Sequence, residues 1–121
     1  MVKVLFDTNI LIDYLNGIPQ ARDEIARYTD KAISLITWME VLVGATPQTE
    51  TVIKIFLSDF ITLPIDKPVS EIAVDIRQQR KIKFPDAIVW ATALANGRIL
   101  VSRNTKDFAS DEPGVRVPYI L

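Results

Sequence analysis

The sequence predicts an α/β fold, a central parallel sheet of four to five strands with helices on both faces. Three observations point there. Short apolar runs recur at residues 3–6, 32–36, 61–64 and 98–102. The segments between them carry apolar residues at helical spacing, opened by Pro or a hydroxyl residue. Strands alternating with helices need right-handed crossovers, which lay helices over both faces of a parallel sheet.

Residues 3–6 (KVLF) have the apolar, β-branched character of a buried strand. Asp7 or Thr8 caps the helix that follows, whose Ile10, Leu11, Tyr14 and Leu15 fall at helical spacing, and Gly17 ends it. Pro19 suits a first helical position and leads into a charged surface helix through ARDEIARY. Residues 32–36 read as the second strand. Thr37 then caps the helix TWMEVLVG, which Gly44 stops. Pro47 begins an amphipathic helix with Val52, Ile53, Phe56 and Leu57 on one face. Residues 61–64 read as the third strand, and Pro68 opens a helix carrying Ile72 and Ile76 into the basic run RQQRKIK. Phe84, Pro85 and Asp86 start the apolar helix AIVWATALA, closed by Asn96 and Gly97. Residues 98–102 form the fourth strand, and VRVPYIL adds a short edge strand, where Pro118 is tolerable.

At 121 residues, with no internal repeat or linker, one domain spanning residues 1–121 is expected. Hydrophobic residues make up 49% and charged ones 24%, a globular composition. The absence of cysteine removes disulfides and thiolate zinc sites and fits a reducing cytoplasm. Neither a secretory signal nor a membrane span is legible. Histidine is absent as well, which excludes Ser-His-Asp and Cys-His mechanisms and His-ligated metals. Catalysis must then rest on carboxylates, hydroxyls, Lys or Arg, or a hard metal held by oxygens. A net charge of −1 argues against a protein that coats nucleic acid, though local basic patches can still bind phosphate.

In open α/β sheets, sites form beyond the carboxyl ends of the strands. Asp7 ends the first apolar run, and Ser102, Arg103, Asn104, Lys106 and Asp107 follow the fourth. Glu40 is the only ionisable group between Ala32 and Thr46, so a mostly buried face is expected for it. The alternative is a salt bridge or a position at the helix edge. Asp86 lies in the first turn of its helix, where an acid complements the dipole, yet it tops an apolar stripe of Val89, Trp90 and Ala93. Asn104 and Asp107 fit a capped turn as well as a site. Asp13, Asp23, Glu24, Asp30, Glu50, Asp59, Asp75, Asp111 and Glu112 read as solvated surface.

Several inward-leaning carboxylates repel and raise one another's pKa, a conflict that a divalent cation removes. Mg²⁺ and Mn²⁺ take oxygen ligands and suit metal-assisted phosphodiester hydrolysis, which needs no histidine.

The motifs FDTNILIDYL, ITWMEVLVGA, PDAIVWATAL and LVSRNTKDF, in this order, resemble the PIN-domain ribonucleases, and most of all the VapC-type toxins of toxin–antitoxin pairs. The resemblance covers nearly the whole chain. It implies a three-layer α/β/α fold, a Mg²⁺- or Mn²⁺-dependent endoribonuclease, a homodimer, and a small antitoxin that neutralises it. Carried over by position, it implies Asp7, Glu40 and Asp86 as the acids that catalyse and hold metal. Thr8 and Asn9 match the supporting residues of the family's DTN, with Ser102 and Asn104 in the later turn. Many PIN domains have an acid where this chain has Asn104, so Asp107 is the candidate for the fourth carboxylate, and one firmly held ion is expected. Arg80, Lys81, Lys83 and Arg103 are candidate RNA phosphate contacts; a solvated helix terminus explains the first three equally. Trp38 and Trp90 read as core or dimer residues.

Two other readings compete: a PIN-like module that binds RNA or a partner with weakened catalysis, and a processing nuclease without a toxin role. An aspartyl phosphotransferase would need a second acid two residues after Asp7, where Asn9 stands.

Overall fold

The computed structural model describes residues 2–121. Within them the elements run β1 (Lys3–Phe6), α1 (Thr8–Leu15), α2 (Pro19–Ala26), β2 (Asp30–Ser34), α3 (Leu35–Val43) and α4 (Glu50–Leu57). They continue with β3 (Ile61–Leu63), α5 (Lys67–Gln79), α6 (Phe84–Ala95), β4 (Ile99–Val101) and β5 (Val115–Arg116). All strand pairs are parallel, in the order β3-β2-β1-β4-β5. The expected α/β architecture is therefore present, with the edge strand included.

Period-two alternation explains the layers. On β1, Val4 and Phe6 point into a core shared with Ile10 and Leu11 of α1, Ala21 and Ile25 of α2, Val41 of α3 and Leu57 of α4. Leu5 points the other way, against Ala87, Trp90 and Ala93 of α6 and against Phe108. Being central, β1 buries Val4, Leu5 and Phe6 completely, which is why its sequence is a continuous apolar run. Helix α6 is apolar on more than one side because Ala91 packs with Val69 and Ala73 of α5 while its opposite face meets the sheet. No helix among the described residues is long and apolar enough to cross a membrane.

The chain departs from the sequence expectations in several places. Strand β2 ends at Ser34, whose hydroxyl accepts from the Ile36 amide and caps α3, so Leu35 and Ile36 are helical and Thr37 lies inside the helix. The apolar run 33–36 serves strand and helix equally, and the serine decides the boundary. Helix α4 starts at Glu50 rather than Pro47, after a turn in which the Thr49 hydroxyl accepts from the Thr46 amide. Strand β5 is only two residues long, and Pro118 lies beyond it.

Three of the acids expected at the surface are instead drawn into arginine pairs that tie separate elements together. Glu24 is 4% exposed and takes both forks of Arg116, at 2.7 and 3.0 Å, which ties β5 to α2. The Tyr28 hydroxyl donates to the same carboxylate at 2.9 Å. Burial pushes the Glu24 carboxyl up, but Arg116 and Tyr28 outweigh it and hold the group below its ordinary range. Asp30 accepts from Arg98, which also reaches the Val4 carbonyl at 3.1 Å and so pins the amino ends of β1, β2 and β4. Asp13 is the third, and it lies beside the site. Removing one member of a buried pair strands the other. Arg116→Ala is thus expected to cost about 3 kcal/mol. The check is urea unfolding, with a lower midpoint and an unchanged slope.

Candidate active site

The strand order fixes where a site can form. From β1 the chain moves outward through β2 to β3, then crosses back to place β4 on the other side of β1. The carboxyl ends of β1 and β4 therefore flank the point where the winding reverses, the usual location of a ligand crevice in such sheets. Phe6 is paired with Val101, and the Asp7 amide donates to the Val101 carbonyl at 2.9 Å, so Asp7 and Ser102 emerge side by side.

Asp7 is 3% exposed, yet it is well supplied with donors. Its Oδ1 accepts from the Thr8 amide at 2.7 Å at the start of α1. Its Oδ2 accepts from the Ser102 hydroxyl at 2.8 Å and from the Asn9 amide group at 3.3 Å. Burial raises the Asp7 pKa above its ordinary value; the Ser102 and Thr8 hydrogen bonds pull it down, and the charges of Glu40 and Asp107 push it up. The strand end costs desolvation and supplies partial compensation through fixed donors.

The other acids approach from separate elements. Glu40 of α3 accepts from the Thr8 hydroxyl at 2.8 Å, and that hydroxyl lies 3.0 Å from the Thr37 hydroxyl. Glu40 is exposed, not buried as its apolar neighbours in sequence suggest, because α3 presents this side to the open end of the sheet. Asp86, in the first turn of α6, has a pKa raised from 3.8 to about 6. Burial is the largest cause, followed by the Asp7 charge, a hydrogen bond to the Asp107 side chain, and the charges of Asp107 and Glu40. Asp107 also accepts from the Asn104 amide group at 3.0 Å, while its own backbone amide donates to Asn104 Oδ1 at 3.3 Å. Asn104 thus buttresses Asp107, and it is Asp107 that faces Asp86. The fold brings Asp7, Glu40, Asp86 and Asp107 within electrostatic reach of one another, from β1, α3, α6 and the turn after β4.

Of the basic residues, Lys81 and Lys83 are exposed just before α6. Arg80 stacks over the Trp90 ring at 4.8 Å and bonds Glu112 at 3.0 Å. Arg103 turns back to α1, where its Nη2 meets Asp13 Oδ1 at 2.9 Å and its Nε meets Oδ2. Trp90 is a core residue, and Trp38 packs partly buried against the core on the opposite face of the sheet. Sequence reasoning missed Asp13, although it lies four residues after Asn9 and hence on the same helical face. Burial pushes its pKa up, but hydrogen bonds from Arg103 and Tyr119 hold it below the ordinary value.

A family model described as PIN domain matches residues 4–110. A comparison with curated proteins finds no match. Among solved structures, the chain is similar to a toxin–antitoxin complex from Klebsiella pneumoniae, with 45% identity, a TM-score of 0.93, and coverage of 98% of this chain and 100% of that one. It is also similar to DNA-bound VapBC from Salmonella typhimurium, with 26% identity, a TM-score of 0.79 and 96% of each chain covered. FitAcB from Neisseria gonorrhoeae, at 24% identity and a TM-score of 0.80 over 98% of this chain and 99% of that one, shares the fold.

Proposed function

The chain belongs to the PIN domain family, and on that premise we propose that it is a metal-dependent endoribonuclease acting as the toxin of a VapC-type toxin–antitoxin pair. The observation that carries the reading is the buried Asp7 carboxylate at the winding reversal, faced by Glu40, Asp86 and Asp107. The charges of Glu40 and Asp107 push up the pKa of Asp7, and with that of Asp7 they push up Asp86, so the site is strained by itself and relieved by a cation.

The donor set fits Mg²⁺ or Mn²⁺. Every donor is an oxygen, which suits a hard cation. Among the described residues no three acidic side chains gather closely enough to enclose an ion by themselves. That matches a cation held by one or two carboxylates with several waters and substrate phosphate oxygens. Asp7 and Asp86 are the residues that would hold it, with Glu40 and Asp107 close by. When bound, such an ion activates the attacking water and neutralises charge on the leaving oxygen.

The chain's own residues do the rest. Ser102, Asn9 and the Thr8 amide fix the Asp7 carboxylate so that its remaining lone pairs face the crevice. Thr8 orients Glu40. Asp107, held by the Asn104 amide group and hydrogen-bonded to Asp86, stands where it can accept a proton from water. Lys81 and Lys83 give the acidic crevice a cationic rim for RNA phosphates.

An apolar groove of about 480 Å³ lies between α1, α3 and α4, lined by Ile12, Leu15, Val41, Val52 and Ile53. It supports a small protein partner that buries apolar side chains there, as an antitoxin would. The toxin reading is supported further by the Klebsiella pneumoniae relative. A homodimer, a single domain and a cytoplasmic setting belong to the same proposal.

Purified protein incubated with single-stranded and structured RNAs tests it. Cleavage with Mg²⁺ or Mn²⁺ that stops in chelator and returns on adding metal is the expected result. Undiminished cleavage in chelator overturns the mechanism.

A further inference from the structure

Arg103 follows the site residue Ser102, and sequence reasoning groups it with the phosphate contacts. Its surroundings suggest other work. The guanidinium meets both oxygens of Asp13, a carboxylate only 3% exposed, and the Tyr119 hydroxyl donates to Asp13 Oδ2 at 2.7 Å. Asp13 and Asn9 stand one helical turn apart on α1. Asn9 holds the same segment from its other end, since its Oδ1 accepts from the Arg103 amide at 3.4 Å and its amide group donates to Asp7 and Ser102. The turn after β4 is therefore stapled to α1 at two points. What the staple fixes is the Ser102 hydroxyl, which donates to Asp7 at 2.8 Å and accepts from the Asn104 amide at 3.0 Å. A forked pair has the geometric stiffness for this, which a single point charge lacks.

We propose that Arg103, clamped by Asp13 and Tyr119, is a positioning residue that sets the Ser102–Asn104 turn against Asp7, and that it does not bind RNA phosphate. The catalytic consequence rests on the nuclease reading above; the structural one does not. Partners that orient a metal-binding carboxylate cost about 10- to 100-fold in affinity or activity when removed.

The test compares Asp13→Asn, Arg103→Gln and Tyr119→Phe with the parent chain. Asp13→Asn and Arg103→Gln should each lower kcat by about 10- to 100-fold, with KM and its salt dependence unchanged, and the double variant should lose no more than either alone. Tyr119→Phe should give a smaller loss in the same direction. If Arg103 touches phosphate instead, Arg103→Gln raises KM and flattens the salt slope by about 0.7, while Asp13→Asn frees the guanidinium and lowers KM. That pattern overturns the proposal.

Amide hydrogen exchange gives a readout that needs no RNA. The Arg103 and Asn104 amides should exchange faster in Asp13→Asn, while those of β1 stay protected. Unchanged exchange at both overturns the staple. Should Asp13→Asn fail to fold, Arg103→Lys, which keeps the charge and loses the fork, carries the same expectations. Should the parent chain cleave no RNA, the nuclease reading falls, and the exchange result still decides the staple.

Discussion

Asp7→Asn is expected to reduce RNA cleavage by on the order of 10³-fold, equivalent to about 4 kcal/mol of transition-state stabilisation. The substitution keeps the shape and removes the charge at the acid of the candidate site that is buried and fixed by three donors. It should not unfold the metal-free protein. Burial raises the Asp7 pKa, so the folded chain bears a cost for ionising this group that an amide does not bear. The melting temperature of the metal-free variant should therefore equal or exceed that of the parent. A gel assay of RNA cleavage read beside thermal melts in chelator checks both halves. A variant that loses activity because it melts early would assign Asp7 a structural role, and one that cleaves normally would remove it from the mechanism.

Asp86 should leave the larger mark on pH dependence. Its pKa in the folded chain is about 6 against an ordinary 3.8. Between those values the unfolded chain has released the proton while the folded chain still holds it. Folding stability therefore falls as pH rises from about 4 to about 6 and levels off above. Asp7, raised in the same sense, adds to that fall. Asp13 and Glu24, both held below their ordinary values, act oppositely, and their stabilisation is lost as pH drops below about 4. In chelator the melting temperature should peak near pH 4–5 and decline by several degrees toward neutrality. Asp86→Asn should flatten that decline and lower cleavage by on the order of 10²-fold or more. Saturating Mg²⁺ should restore the parent's stability near pH 7, because a ligand bound only by the folded state stabilises it. An equal decline in Asp86→Asn would place the titrating group elsewhere.

The layout of the fold was legible because it rests on local patterns. Central β1 had to be apolar on both faces, and the helices carried their own Pro, Gly and hydroxyl punctuation. The boundary between β2 and α3 was not legible, since residues 33–36 satisfy both periodicities until the Ser34 hydroxyl takes the Ile36 amide. Asp7 stood out because a lone carboxylate after a buried run demands a reason. Glu40 was singled out for burial it does not have; what marks it structurally is the Thr8 hydroxyl. Glu24 looked solvated because it sits in a polar helical stretch, and Asp13 because no cation stands within a helical turn of it in sequence. Their partners Arg103 and Arg116 lie about 90 residues away, a separation no spacing rule can bridge. Asn104 looked like a missing charge, and the fold uses it as a donor to Asp107.

The most direct measurement is a Mn²⁺ titration of the parent chain and of Asp7→Asn, following free Mn²⁺ by electron paramagnetic resonance without RNA. The expected result is one saturable ion on the parent chain and binding weakened by at least about tenfold in Asp7→Asn. Equal binding by the two proteins, or none by the parent, would contradict an oxygen-lined metal site built around Asp7.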